Sequence, residues 1–355
     1  MKAIILAAGM GTRLRPVTLT MPKPLVPVAN KRLIEYAIDV LKDANLTEIG
    51  VVVNDMDSPI CDMLGNGDDL GVHISYIAQE ERNGLAHAIS LCKDFIGDSN
   101  FVVFLGDVIF QDKMKSMLTN FEASDYEAQI ALGEVPDPSR FGIAVLEDGL
   151  IKGVVEKPKD PPSNLAIAGV YLFRPSIWDA ISRIKPSWRN ELEITDAIQV
   201  LIDDGHKVAP YVIEGWWIDA GKPDPIVTAN QLVLEMLPYS IPPEDKCEGD
   251  SDVSHRVVVG ENSRIINSVV RGPVIIGDNT IIKDSYIGPY TSLGNDVVVE
   301  GSEIEYSIVM NNCEIRNIEG RIDRSLLAHN SKVGRTTRPP SSHRFVLAEN
   351  SYVEL

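Results

Sequence analysis

Up to about Leu237 the chain alternates short apolar runs with stretches of helical spacing. Ala3–Ala7 is apolar and runs into glycines, which predicts a buried first strand. In Arg32–Leu41 the residues Leu33, Ile34, Ala37, Ile38 and Leu41 share one helical face. Gly50–Val53 and Val72–Ile77 predict a second and a third strand, Leu85–Phe95 a helix, and Phe101–Leu105 a fourth strand. Strands separated by helices of this length predict mostly parallel pairing and an α/β sandwich, with ligands bound at the carboxyl ends of the strands. The opening MKAIILAA has the apolar character of a short signal peptide, but Gly9 to Arg15 follow at once, and a strand is the reading.

Pro238–Asp252 carries three prolines and five acidic residues. It predicts a linker between a first domain at 1–237 and a second at 253–355. Beyond it the helical periodicity stops and single aliphatic residues recur in three interleaved series. Val259, Ile276 and Leu293 are 17 apart, as are Ile265, Ile282 and Val299, and Val270, Ile287 and Ile304. One shared period in three series describes a coil with three short sides, each pointing one aliphatic residue inward. Gly260, Gly277, Gly288 and Gly294 directly follow such residues, where a turn needs a small side chain. The pattern resembles the hexapeptide repeat of left-handed parallel β-helices; a β-sandwich is the competing reading.

The chain has 355 residues, 44% hydrophobic and 24% charged, enough to bury a large core without disulfides. Its 33 basic and 51 acidic residues give a net charge of −18. Such a surface repels nucleic acid and anionic lipid, so neither is an expected partner, and a phosphate-bearing ligand needs a local cluster of cations. Cys61, Cys92, Cys247 and Cys313 are far apart and form no metal-ligand pattern, which fits reduced thiols in a cytoplasmic protein. No apolar run is long enough to predict a membrane helix.

Candidate chemistry begins where the first strand ends. Ile4–Thr18 reads IILAAGMGTRLRPVT. Glycines at 9 and 11 let backbone N–H groups converge on phosphate oxygens. The third glycine of a dinucleotide fingerprint is absent, since position 14 is Leu14, and so is the Gly-Lys-Ser/Thr of a P-loop. Arg13, Arg15 and Lys23 instead supply three cations within eleven residues. A glycine turn with surface basics is the plain alternative. The run GMGTRLRPVT followed by PKPLVPV resembles the signature of sugar-1-phosphate nucleotidyltransferases.

Further segments resemble that family in the same order along the chain. Gln79 to Ala86 (QEERNGLA) resembles its base-recognition segment. The resemblance implies that the Gln79 amide and the Gly84 backbone meet a pyrimidine edge, and that Leu6, Ala8, Gly9, Gly11, Thr12 and Arg13 complete the nucleotide site. Asp107 in LGD and Asp219 in WWIDAG match a pair that holds Mg²⁺ at the α-phosphate, a metal that uses few protein ligands and keeps several waters. Phe141-Gly142, Glu156-Lys157-Pro158 and Ala168-Gly169-Val170 resemble the sugar-phosphate half, as does WRNELEITD at 188–196. There the resemblance assigns Lys157 and Arg189 to the phosphate, Glu156 to sugar hydroxyls, and Gly142, Gly169 and Val170 to the ring. Arg13, Lys23, Asp107 and Lys157 are the expected catalytic set. The tail at 338–345 (RPPSSHRF) resembles the long thymidylyltransferase subgroup, which carries a C-terminal β-helix.

Two departures from the family pattern stand out, of which Ala8-Gly9, where many members have two glycines, is the harmless one. Family members that use thymidine nucleotides usually carry Asn after the LGD aspartate, where its amide touches a sugar hydroxyl; this chain has Val108. The resemblance therefore implies acceptance of glucose 1-phosphate with looser rejection of 2-substituted sugars; the plain alternative is that Val108 packs beneath the strand end and the sugar is held elsewhere. The implied reaction is attack of a sugar 1-phosphate on a nucleoside triphosphate, dTTP or UTP, releasing pyrophosphate, with dTTP and glucose 1-phosphate preferred. The attacking phosphate is already anionic, so no protein nucleophile is needed. A binding subunit that has lost this chemistry, and a bifunctional enzyme whose β-helix transfers acyl groups, are the competing readings. The β-helix is further expected to form a homo-oligomer, and cutting after Tyr239 to alter assembly more than chemistry.

Overall fold

The computed structural model describes residues 1–111, 114–335 and 351–353. The RPPSSHRF tail lies outside the described residues. By spatial clustering the chain forms two compact units. The first comprises Met1–Met10, Pro22–Leu25 and Leu33–Asp219; the second comprises Gly11–Met21, Val26–Arg32 and Ala220–Leu355.

The first unit is an α/β sheet. Its strands and principal helices run β1 (Lys2–Leu6), α1 (Leu33–Asp43), β2 (Glu48–Val53), β3 (His73–Ala78), α2 (Leu85–Ser90), β4 (Phe101–Leu105), β5 (Val108–Phe110), β6 (Ala128–Glu134), β7 (Gly142–Glu147), β8 (Leu150–Glu156), β9 (Leu165–Phe173), α3 (Ile194–Asp203), β10 (Val208–Val212) and β11 (Trp217–Asp219). The main sheet has the order β8-β7-β9-β4-β1-β2-β3, with β6 beside β9 and β10 beside β6. β4, β1, β2 and β3 are parallel, as the alternating pattern predicts, while β7, β8 and β9 pair antiparallel. Ile4, Ile5, Ile49, Val51, Phe101 and Val103 are fully buried, because a sheet covered on both faces needs apolar residues at every position.

α1 buries Leu33, Ile34, Ala37, Ile38 and Leu41, the face given by the sequence spacing. The helix expected at 85–95 is broken. α2 stops at Ser90 and a separate turn of helix spans Lys93–Ile96. Between them the Cys92 N–H reaches only three residues back, to the Ile89 carbonyl at 2.9 Å, which tightens and ends the first helix.

The second unit contains a left-handed parallel β-helix with three sheets. Arg264 pairs with Ile281 and Ile281 with Val298, each 17 residues on; the next steps, to Glu314 and Lys332, are 16 and 18. The inward residues Ile265, Ile282, Val299, Val270, Ile287, Ile304 and Leu293 are fully buried. Left-handed backbone at one set of corners falls on Asn262, Asn279, Asp296 and Asn312, which tolerate positive φ. Gly277 is needed for closeness instead: a Cβ there would stand 2.6 Å from the Gly294 carbonyl carbon in the next coil.

Helix α4 (Pro223–Glu235) belongs to this unit. Its Asn230 is fully buried; Oδ1 accepts from the Ser292 hydroxyl at 2.7 Å and the Ala29 N–H at 2.8 Å, and Nδ2 donates to the Tyr290 carbonyl at 3.0 Å. Ala29 and Asn30 have positive φ and form the tip of a hairpin joining Pro27–Val28 to Lys31–Arg32. Asn30 Nδ2 donates to the Leu293 carbonyl at 2.7 Å.

Candidate active site

β1 and β4 lie side by side in register, Leu6 opposite Leu105, so both chains leave the sheet at the same place. The Gly106 N–H donates to the Leu6 carbonyl at 3.0 Å, and the next residue is Asp107. β5 then pairs antiparallel with β11, placing Asp219 opposite Val108. The two carboxylates, 112 positions apart in sequence (219 − 107), are thereby brought together.

Lys23 is the third member. Its ammonium donates to Asp107 Oδ2 and lies 3.4 Å from Asp219 Oδ1. Its side chain is only 7% exposed, whereas the aspartates are 30% and 28% exposed. A lysine buried this deeply is stable as a cation only when paired, and here two carboxylates pair with it. Among the described residues, one oxygen of each aspartate accepts from no other side chain.

Leu6, Ala8, Gly9, Lys23, Gln79, Gly84, Leu105 and Asp107 line one cleft of about 330 Å³, together with Met10, Arg82, Leu85 and Glu191. Gln79 is 6% exposed; its Nε2 donates to the Gly84 carbonyl at 3.1 Å and lies 3.3 Å from His87 Nδ1. Gly84 has φ of +105°, and a Cβ on it would stand 2.5 Å from the Leu192 carbonyl oxygen. The Leu192 N–H donates to Asn83 at 2.6 Å and its carbonyl accepts from the Ala86 N–H at 3.0 Å. The QEERNGLA segment and the WRNELEITD segment are thus stapled backbone to backbone.

That second segment carries Arg189, which three carboxylates surround: Glu191 at 2.9 Å, Glu193 at 3.2 Å and Glu156 at 3.5 Å. Lys157 pairs with Glu156 at 3.0 Å. Lys157 has φ of +42°, a strained conformation held in part by its N–H bond to the Phe141 carbonyl at 3.0 Å. Burial pushes the Glu193 carboxyl up from its ordinary value. Asp196 is raised for the same reason, with Glu156 adding to the push. Gly142 lies against Glu156 and Thr195, where a Cβ would stand 3.1 Å from Glu156 Oε2. β9 loses its register with β6 between Ile167 and Tyr171, a bulge containing Ala168, Gly169 and Val170. Gly169 has φ of +83°, and a Cβ there would stand 2.8 Å from Leu105 Cδ1.

Comparison with known proteins fits this geometry. The nucleotidyl transferase family model matches residues 2–236. The chain belongs to that family. It is 46% identical, over all of both chains, to the low-salt glycan biosynthesis nucleotidyltransferase Agl11 of Haloferax volcanii. It is 42% identical to a glucose-1-phosphate thymidylyltransferase of Streptomyces griseus, over all of this chain and 99% of the other. A solved UDP-glucose pyrophosphorylase complexed with UDP-glucose superposes with a TM-score of 0.58 at 29% identity, over 66% of this chain and 98% of that one.

In this nucleotidyltransferase the donor set suits a divalent cation. Two partly exposed carboxylates, each with an oxygen outside the Lys23 pairing, match a hard ion that takes few protein ligands. Gly11, Thr12 and Arg13 belong to the second unit. There Gly11 has φ of +60° ahead of the turn Thr12–Leu14, its carbonyl accepts from the Thr18 hydroxyl at 2.8 Å, and Thr12 and Arg13 are exposed. Val108 is 2% exposed and its Cγ2 would lie 3.1 Å from a Gly169 Cβ, so it packs beneath the strand end. Sequence reasoning missed His87, Glu191, Leu192 and Glu193. Glu191 and Glu193 flank Leu192 in a quoted motif, but their carboxylates acquire a role only once Arg189 is placed.

Proposed function

We propose that this chain transfers a thymidylyl group from dTTP to glucose 1-phosphate, giving dTDP-glucose and pyrophosphate. One observation carries the reading: a single cleft joins a buried amide suited to a base edge, Gln79 beside Gly84, to the Lys23–Asp107 pair. Identity of 42% along the whole chain to a thymidylyltransferase favours dTTP. The similarity to a UDP-glucose pyrophosphorylase is the specific observation behind the second reading, UTP as donor.

In this reading Gln79 donates through Nε2 to the Gly84 carbonyl, which leaves Oε1 to accept the ring N–H of a pyrimidine. The backbone of Gly9 lets the nucleotide approach where a side chain would block it. Arg13 meets the departing pyrophosphate, and Lys23 neutralises charge at its neighbouring aspartates. Asp107 and Asp219 hold Mg²⁺, which supplies Lewis-acid polarisation of a phosphoryl oxygen when bound. Lys157 and Arg189 bind the attacking phosphate, and Glu156 accepts from sugar hydroxyls. Arg189 then exchanges some of its three carboxylate partners for phosphate oxygens, keeping its charge paired throughout. No protein group needs to become a nucleophile, because the sugar phosphate is anionic at neutral pH. Holding two polyanions in line while balancing their charge is the task. The β-helix serves as scaffold and as the contact surface of a homo-oligomer, and free thiols suit a cytoplasmic protein.

Pyrophosphate release tests this across dTTP and UTP, each with glucose, galactose and glucosamine 1-phosphates. The reading expects the highest kcat/KM for dTTP with glucose 1-phosphate. A higher value with UTP moves the donor assignment, and no release with any pair overturns the function.

A further inference from the structure

Resting on that reading, we propose that Arg82 is a substrate-binding residue that holds the phosphates of the incoming nucleoside triphosphate. Among the described residues its charge is unpaired where its neighbours' charges are not. In a chain of net charge −18, three other cations proposed for the site, Lys23, Lys157 and Arg189, are committed to carboxylates. Lys23 pairs with Asp107 and Asp219, Arg189 with Glu156, Glu191 and Glu193, and Lys157 with Glu156. Arg82 also lines the cleft, yet among the described residues it makes no ion pair; its Nη1 rests on the Met10 sulfur. A thioether is a weak acceptor, so leaving it costs little.

The position is equally specific. Arg82 lies between Gln79 and Gly84, which line the base end of the cleft, and reaches Met10 between Gly9 and Gly11 of the glycine loop. Gly9, Met10 and Lys23 line the same cleft as Gln79, so a nucleotide that keeps its base at Gln79 and extends along the cleft carries its phosphates toward them. Arg82 is exposed and free to turn onto them, and its planar fork can meet two phosphate oxygens at once. Glu191, on the same cleft, is held by Arg189 at 2.9 Å and does not capture Arg82.

The test compares the parent with Arg82→Ala and Arg82→Lys, using calorimetric titration with dTTP, pyrophosphate and thymidine, and steady-state kinetics. Loss of a charged contact weakens binding by about ten- to a hundredfold. Arg82→Ala is expected to raise Kd and KM for dTTP by that factor and to weaken pyrophosphate in the reverse reaction. Thymidine binding, the KM for glucose 1-phosphate and the Tm should remain at parental values. Arg82→Lys should recover part of the loss. A dTTP Kd within twofold of the parent, or equal weakening of dTTP and thymidine, overturns the proposal. Pyrophosphate release by the parent separately decides the underlying reading, while the titrations decide Arg82 whatever the turnover.

Discussion

Gly84 and Leu192 meet backbone to backbone: a Cβ on Gly84 would stand 2.5 Å from the Leu192 carbonyl oxygen and 2.6 Å from its nitrogen. This contact fixes the segment proposed to read the base against the segment that carries Arg189. Gly84→Ala must relieve both a positive φ and the clash, at a cost of order 1–3 kcal/mol for the backbone alone. The expected result is a lower Tm and a rise of about tenfold or more in KM for both substrates. A variant with parental KM values would show that the staple does not shape the site.

The metal pair gives a second prediction. Asp107→Asn and Asp219→Asn each remove a charge that faces Lys23 and the proposed Mg²⁺. Turnover should fall by about a thousandfold, roughly 4 kcal/mol of barrier, with the circular dichroism spectrum retained. EDTA should abolish parental activity and Mg²⁺ restore it. Near-normal turnover of either variant would remove that aspartate from the metal site.

How far the sequence reached follows from the range of each interaction. The strand Phe101–Leu105, the buried face of α1 and the 17-residue coil were legible because each is a local periodicity. Leu6, Ala8, Gly9, Lys23, Gln79, Gly84 and Asp107 share a cleft, and each sits in a motif that could be quoted whole. Pairings across long separations were not legible. Nothing local tells that Lys23 is wedged between Asp107 and Asp219, or that Arg189 is caged by three glutamates. The packing of Val108 beneath the strand end was one of two readings of the sequence, and its partner there, Gly169, arrives from β9. Val108→Asn should therefore lower the Tm by burying an amide, a cost of about 1–3 kcal/mol, and leave the glucose to glucosamine 1-phosphate ratio unchanged. A sharpened preference for glucose would mean that position 108 does reach the sugar.

The coil also holds residues that lie outside it in the second unit. Asn230 is fully buried between Ser292, Tyr290 and Ala29, and Asn30 is held by Leu293. Ending the chain after Tyr239 strips these partners from α4 and from the hairpin at 27–32, which follows Lys23 by only a few residues. The truncated chain should lose activity as well as any oligomer, with a lowered Tm. Asn230→Ala offers a milder version, about 2 kcal/mol of lost stability. Full activity of the truncated chain, with a parental Tm for its catalytic part, would restore the separation of the two roles.

Glu193 predicts a pH dependence. Burial raises its carboxyl above the ordinary 4.5, opposed by the Ser187 hydroxyl and Arg189 and reinforced by Glu156 and Glu191. A raised folded-state value means that the native protein binds more protons than the unfolded chain, so this group's contribution to stability falls as pH rises from about 4.5 through the folded value. Glu193→Gln removes that loss. Its Tm relative to the parent should therefore increase between pH 4 and pH 7; a constant difference would contradict the assignment.

The central claim is that an oxygen of the sugar phosphate attacks the α-phosphorus of the nucleotide and becomes the bridge of the product. Glucose 1-phosphate labelled with ¹⁸O throughout its phosphate tests it directly when turned over with unlabelled dTTP and read by mass spectrometry. The account predicts that every label appears in the nucleotide sugar, including its bridging oxygen, and none in pyrophosphate. Label in the pyrophosphate, or its loss from the bridge, would contradict it.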